Sequence, residues 1–315
     1  MKLGYIGLGK MGFNMVERLL EKDYQVIATN RSHESIDKIS DKGAIPAYSI
    51  SELVEKISEN STDPKTIWLM VPWRAVGDVL SELTPLLKKG DTIIDGGNSP
   101  YVETVRRSKE LKEKEINFMD VGVSGGPNGA RNGACLMIGG GREDFEKYQE
   151  LFSDLSIKNS NGESGYGYMG LHGAGHFVKM VHNGIEYGMM QAIGEGFEVM
   201  KKSNQDIENG GFDLDLKEIT RVYNTGSVIE SRLVGWLQNA YKNNGIELNN
   251  ISGEVSHSGE GQWTVEAANR LDVPADIIKE SLDFRIKSQG NPSYTGKVVS
   301  ALRNEFGGHD VGDKK

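Results

Sequence analysis

Apolar positions in the first half of the chain fall in short runs separated by amphipathic stretches. Lys2–Ile6, Gln25–Thr29, Thr66–Val71, Thr92–Asp95, Asn117–Val121 and Leu136–Ile138 read as strands. Several are apolar throughout, as suits a sheet covered on both faces. Between them Met11–Leu20, Ser32–Asp41, Ser51–Ser58, Arg74–Leu87 and Val102–Lys114 show helical periodicity, and Gly90 supplies a stop signal. Such alternation predicts an α/β Rossmann-like N-terminal domain on a doubly wound, mainly parallel sheet.

After Phe145 the pattern changes. Residues 156–174 are rich in Gly, Ser, Asn and Tyr and read as a linker or an extended surface crossing. From Gly175 the periodicity is helical, over roughly 175–202, 215–224, 228–243, 263–271, 274–288 and 296–305. No strand-rich block interrupts it, so an all-α C-terminal domain follows. The boundary falls near residue 170, giving a Rossmann-like domain over 1–170 and a helical domain with a C-terminal tail over 171–315.

Composition narrows the partners. The chain has 315 residues, 37% of them hydrophobic and 26% charged, which is enough for two domains with real cores. Its net charge of −9 gives no footprint for nucleic acid or an anionic membrane. No apolar run approaches the ~18 residues of a membrane span, and the N-terminus has no secretory leader pattern. Cys135 is the single cysteine, so no intramolecular disulfide forms, which fits a cytoplasmic setting. No His/Cys/carboxylate cluster has metal-ligand spacing, so no metal is expected. Glycine is the outlier at 40 residues, a sign of tight backbone approaches.

Gly7-Leu8-Gly9-Lys10-Met11-Gly12 follows the first strand and opens the first helix with G-x-G-x-x-G spacing. Gly7 makes the turn, Gly9 lets backbone approach a pyrophosphate, and Gly12 lets helix pack on strand. A glycine-rich turn without a ligand is the plain alternative. The second strand ends in Asn30-Arg31-Ser32, with no carboxylate for a ribose 2′-hydroxyl. Arg31 and Ser32 instead offer donors to a 2′-phosphate, which favours NADP, with NAD as the alternative. Val71 and Pro72, where the third strand ends, are further candidates to line the cofactor.

A second candidate lies at 173–187. Counting from Lys179, residues His182, Asn183, Glu186 and Tyr187 follow at three, four, seven and eight, so one helical face carries all five. Polar stripes usually face solvent. Here only Lys179 and Glu186 are formally charged between Gly165 and Gly194, which describes a pocket wall better than a solvated face. A partly desolvated Lys179 suits a general base and a sheltered Glu186 a general acid. Asn98, after a strand end and two glycines, can reach nicotinamide and substrate. Ser124-Gly125-Gly126 ends another strand with N–H groups suited to a carboxylate.

These segments resemble the decarboxylating 6-phosphogluconate dehydrogenases of the β-hydroxyacid dehydrogenase superfamily. The matching stretches are Gly7–Gly12, Asp95–Ser99, Asp120–Gly126, Leu136–Gly140 and Gly173–Gln191, then Glu260–Thr264, Phe284-Arg285 and Arg303–His309. The chain resembles the short form of that family, with Gln262 where the common form carries a phosphate-contacting lysine. The resemblance implies Lys179 and Glu186 as base and acid, and Asn98, Ser124, Gly125, Gly126, His182, Asn183, Tyr187, Gln262, Arg285, Arg303 and His309 around 6-phosphogluconate. It also implies a homodimer or larger homo-oligomer, with the Arg303–His309 tail in the neighbouring subunit's site. Short members often use NAD, against the local chemistry of Asn30-Arg31-Ser32. Two other readings stand beside this one: a 3-hydroxyacid dehydrogenase or aldehyde-acid reductase of the superfamily, and a non-catalytic NADP(H)-sensing protein.

Overall fold

Strands β1 (Lys2–Ile6), β2 (Gln25–Thr29), β3 (Ile45–Pro46), β4 (Thr66–Leu69), β5 (Thr92–Asp95), β6 (Asn117–Ser124), β7 (Cys135–Gly139) and β8 (Tyr166–Gly170) form one sheet. They are seen in a computed structural model that describes residues 1–59 and 61–308. The order is β3-β2-β1-β4-β5-β6-β7-β8, parallel at every step except the antiparallel β6–β7 pair. Side-chain alternation explains the two covered faces. Leu3, Tyr5, Val26, Ala28, Trp68, Ile94, Met119 and Val121 enter one core, while Ile6, Ile27, Ile67, Leu69, Ile93 and Phe118 enter the other. The helices of this region are α1 (Lys10–Leu20), α2 (His33–Ser40), α3 (Ile50–Ser58), α4 (Trp73–Leu83), α5 (Tyr101–Glu113), α6 (Gly126–Asn132), α7 (Arg142–Lys147) and α8 (Gln149–Leu155).

Chain order reverses between β1 and β4, and the loops after those strands flank the resulting crevice, where open α/β sheets hold their ligands. Several elements depart from the sequence reading. The strand at Thr66 stops at Leu69, which frees Val71 for a loop. The helix from Trp73 ends at Leu83 and tightens into a 3₁₀ turn over Thr84–Leu86, where Pro85 cannot donate. The 156–174 crossing contains β8, which pairs parallel to β7.

Helix α9 (Ala174–Ser203) runs for 30 residues. The chain divides into two compact units within it, Met1–Met180 and a second from Val181 onward, where the sequence places its change of pattern near 170. The second unit is helical: α10 (Leu216–Tyr223), α11 (Arg232–Asn244), α12 (Glu260–Arg270), α13 (Asp276–Ser288) and α14 (Tyr294–Gly307). Of these, α11 begins at Arg232 rather than 228, because Ser231 caps it by accepting from the Val234 N–H. The core of this unit joins Tyr187, Met190 and Phe197 of α9 to Leu237 and Tyr241 of α11 and to Val298, Val299 and Leu302 of α14.

Candidate active site

The glycine loop after β1 divides its work as the spacing requires. Gly7 sits at φ +108°, and a side chain there would strike the Met70 carbonyl. One on Gly12 would strike the Gly7 carbonyl, which lies beneath the first turn of α1. A Cβ on Gly9, by contrast, meets nothing within 4 Å. Gly7 and Gly12 thus serve the protein's own packing, and Gly9 keeps open space over the start of α1. Asn30 braces this loop by accepting from the Leu8 N–H at 3.1 Å. Arg31 and Ser32 lie exposed at the head of α2, and the Ser32 hydroxyl makes no cap bond there.

Gly9 to Gly12, Val71, Pro72, Asn98, Val123 and Lys179 line one cleft of ≈ 310 Å³. Open backbone at Gly9, the α1 N-terminus and the amide at Asn98 fit a dinucleotide carrying a nicotinamide at one end. The Asn98 loop is held from beneath. Asp95 is fully buried and accepts from the Gly97 N–H at 3.0 Å and from the Ser99 hydroxyl at 2.9 Å. Arg107, also buried, donates to the Trp73 carbonyl at 3.0 Å and approaches Asp95 at 3.8 Å. Burial pulls the Arg107 guanidinium below its ordinary range, and Asp95 opposes that shift.

Lys179 reaches the cleft from the second turn of α9. Glycines let this helix lie directly on the sheet: a side chain on Gly122 of β6 would collide with Lys179 Cβ, and one on Gly175 with the Met137 carbonyl. Seven residues further along α9, about 10.5 Å up the same face, comes Glu186. Its carboxylate lies 3.8 Å from His182 Nδ1, and the same ring nitrogen is 3.0 Å from the Asn183 side-chain oxygen. All four side chains are partly buried.

Tyr187 belongs to a different kind of site. The Arg285 guanidinium stacks on its ring at 3.3 Å from the centroid, and Gly261 at the start of α12 leaves room for the ring's edge. Arg303 of α14 comes within electrostatic reach of both and donates to the Ser256 hydroxyl at 2.8 Å. Arg285 is 2% exposed and Arg303 5%, yet neither forms an ion pair among the described residues. One terminal nitrogen of Arg285, Nη2, is buried without a partner. Burial pushes Arg285 down to about 10 and lowers Arg303 too, while burial raises the Tyr187 phenol. Glu186 and Glu260 oppose the downward shift on both guanidiniums through space, without an ion pair to either among the described residues.

The structure thus gathers Gly9, Asn98 and Lys179 in one cleft, and Tyr187, Arg285 and Arg303 in one cluster. Ser124 ends β6, and Gly125 and Gly126 turn into α6 with φ values of +124° and +62°. Gln262 is exposed and donates to Glu266 at 2.8 Å, and no contact joins it to the arginines among the described residues. His309 lies outside the described residues. Arg303, on α14, packs in the helical core of its own chain beside Tyr187 and Arg285. Sequence reasoning missed the buried supports, Asp95 with Arg107 and Asp120 beneath α9. One signal was available for the last: Gly173 precedes a long helix and has no side chain to cap it.

Fold and cleft together define a nicotinamide-dinucleotide oxidoreductase with a Rossmann-like domain followed by a helical one. Family models agree in detail: residues 2–165 match the NAD-binding domain of 6-phosphogluconate dehydrogenase, and residues 175–305 match the C-terminal domain of the same enzyme. The chain belongs to the 6-phosphogluconate dehydrogenase family. Relatives include a Bacillus subtilis protein, YqeC, provisionally named for that activity and 45% identical over 98% of each chain. The NAD(+)-dependent, decarboxylating 6-phosphogluconate dehydrogenase of Haloferax volcanii is 38% identical over 100% of this chain and 99% of its own. Among solved structures, Plasmodium falciparum 6-phosphogluconate dehydrogenase, studied with NADP+ and with 6-phosphogluconate, matches at TM-score 0.79 and 30% identity. That match covers 91% of this chain but 62% of the Plasmodium one. No helix among the described residues is long and apolar enough to cross a membrane.

Proposed function

We propose that this protein converts 6-phospho-D-gluconate to D-ribulose 5-phosphate and CO₂ with reduction of NADP. One observation carries the choice of a phosphorylated substrate: two buried guanidiniums, Arg285 and Arg303, converge at Tyr187 with no ion pair among the described residues. A dehydrogenase for a small unphosphorylated hydroxy acid has no use for that cluster. Relatives named for 6-phosphogluconate fit the same reading.

A bound nicotinamide supplies the acceptor for the hydride that leaves C3. Gly9 and the α1 N-terminus hold the pyrophosphate, Asn98 orients the nicotinamide amide, and Arg31 with Ser32 receives the 2′-phosphate. Lys179, neutral on entry, takes the proton of the 3-hydroxyl as the C–H bond breaks. The resulting 3-keto acid loses CO₂ while the Lys179 ammonium donates to the carbonyl oxygen, which leaves an enediol. Glu186 then delivers a proton to C1 while Lys179, neutral again, takes the enediol's hydroxyl proton, which leaves the ketone. Ser124, Gly125 and Gly126 orient the carboxylate, His182 and Asn183 the hydroxyls, and Tyr187, Arg285 and Arg303 the phosphate.

The working enzyme on this reading is a homo-oligomer. Ile185, Met189, Ala192, Gly196 and Val199, alternately four and three residues apart, form an exposed stripe along α9 of the kind helices bury against one another. The test of the activity is cofactor reduction with 6-phosphogluconate, run with NADP and NAD in parallel and with unphosphorylated gluconate as control. Equal turnover of gluconate would remove the phosphate site from the proposal.

A further inference from the structure

We infer that Asp120 is a positioning residue for Lys179, a role that rests on the reading of Lys179 as the base. Asp120 is fully buried on β6 and forms no ion pair among the described residues. Its two oxygens are both committed to the start of α9. One accepts from the Gly173 N–H at 2.7 Å, the other from the His176 N–H at 2.9 Å. The His176 N–H is one that an N-cap side chain ordinarily satisfies, and the Gly173 N–H is the one that a capping-box side chain at the third helical position would take. Gly173 has none to offer, and its φ of +92° beside Val105 leaves no room for one. A strand more than fifty residues earlier in the chain therefore provides the cap.

A cap borrowed from a strand does more than stop fraying. It ties the rotation and the height of α9 to the sheet instead of to the preceding loop. Lys179 is three residues beyond His176, and its Cβ rests on Gly122, two residues along β6 on the same face as Asp120. Gly122, Gly139 and Gly175 let α9 approach the sheet closely, and Phe177 packs edge-on against Tyr101 of α5. His176 adds a second tie, its Nδ1 lying 2.7 Å from the Thr104 hydroxyl of α5. The buried charge is matched by the positive end of a 30-residue helix, whose first amides it holds by charge-assisted bonds. With the helix held this way, Lys179 enters the cleft opposite Asn98.

The test is Asp120→Asn, which keeps the shape and one acceptor but not the paired anionic cap. Steady-state kinetics, cofactor titration by fluorescence and amide hydrogen exchange are measured beside Lys179→Met. The expected result is a kcat lower by about 10- to 100-fold, since a base misplaced by an ångström loses on that order, with KM for 6-phosphogluconate and cofactor Kd within about twofold. Faster exchange confined to residues 173–179 accompanies it. An unchanged kcat, a matching rise in KM or cofactor Kd, or recovery of Asp120→Asn only as unfolded protein overturns the role. If Lys179→Met is inactive while Asp120→Asn is fully active, the positioning role alone fails. Normal turnover by Lys179→Met removes the base assignment itself, and this role with it.

Discussion

The cofactor loop and the arginine cluster are both candidate anion sites, built from opposite materials. In the loop the protein presents backbone: Gly9 leaves open space, and the start of α1 supplies N–H groups. In the cluster it presents long side chains stacked in the interior, with Arg285 against Tyr187 and Arg303 beside them. The first kind asks only for glycines at fixed spacing and tolerates variation around them. The second asks for residues from α9, α13 and α14 to converge, and burying its two like charges is costly, a cost that Glu186 and Glu260 offset only in part. Lys179 and Glu186, on the helix that also carries Tyr187, carry the proton transfers on the proposed reading.

The largest effect is expected where that chemistry lies. Lys179→Met should lower turnover by ~10²–10⁴ or more, the range of positioned proton transfer, while cofactor titration stays normal. Loss of cofactor binding in the same variant would show Lys179 to be part of the cofactor site's structure instead. Next in size is the arginine cluster. Arg303→Met keeps most of the volume and removes the charge, so KM for 6-phosphogluconate should rise roughly 10- to 100-fold, the worth of a charged hydrogen bond. Its cofactor Kd should not move, and measuring both in one preparation separates the two sites.

Two alanine substitutions sharpen the contrast within the loop. Gly12→Ala drives a methyl into the Gly7 carbonyl and should cost ~1–3 kcal/mol, seen as a lower Tm even without cofactor. Gly9→Ala meets no protein atom and should unfold normally, yet bind cofactor several-fold more weakly by fluorescence titration. Equal Tm values for the pair would contradict this division of labour. The smallest effect is expected at exposed Arg31. Arg31→Ala should weaken NADP by about tenfold and leave NAD unchanged, because a single charge-assisted contact at the surface is at stake. A wild-type protein that already prefers NAD would reverse the cofactor assignment, leaving the rest of the site as proposed.

The same contrast explains what could be read from the sequence. The strands of the core and most helices were legible because their apolar periods are unbroken. Strand β3 was not, being two residues ending in Pro46, and neither was β8, whose Tyr-Gly-Tyr-Met-Gly run has the composition of a loop. No helix is predicted at Gly126-Pro127-Asn128-Gly129, yet this run opens α6, since proline fits a first helical turn. At the candidate site, spacing alone pointed to Gly7, Gly9, Gly12, Lys179 and Glu186. Arg285 and Arg303 entered only through family resemblance, because nothing local says that two arginines on acidic-looking helices are buried. Asp120 was invisible as a cap because its partners lie 53 and 56 residues away.

The sheet's margins carry a consequence for the life of the protein in a crowded solution. One outermost strand, β3, spans only Ile45–Pro46, and a proline offers no amide to an incoming chain. The outermost strand on the other side, β8, has glycine at two of its five positions, a poor template for stacking. Between these blunt borders lie strands whose apolar faces would polymerise readily if left open. Lengthening β3 by replacing Pro46 with valine would give the sheet a growing end, and should make the protein self-associate edge to edge on gentle heating.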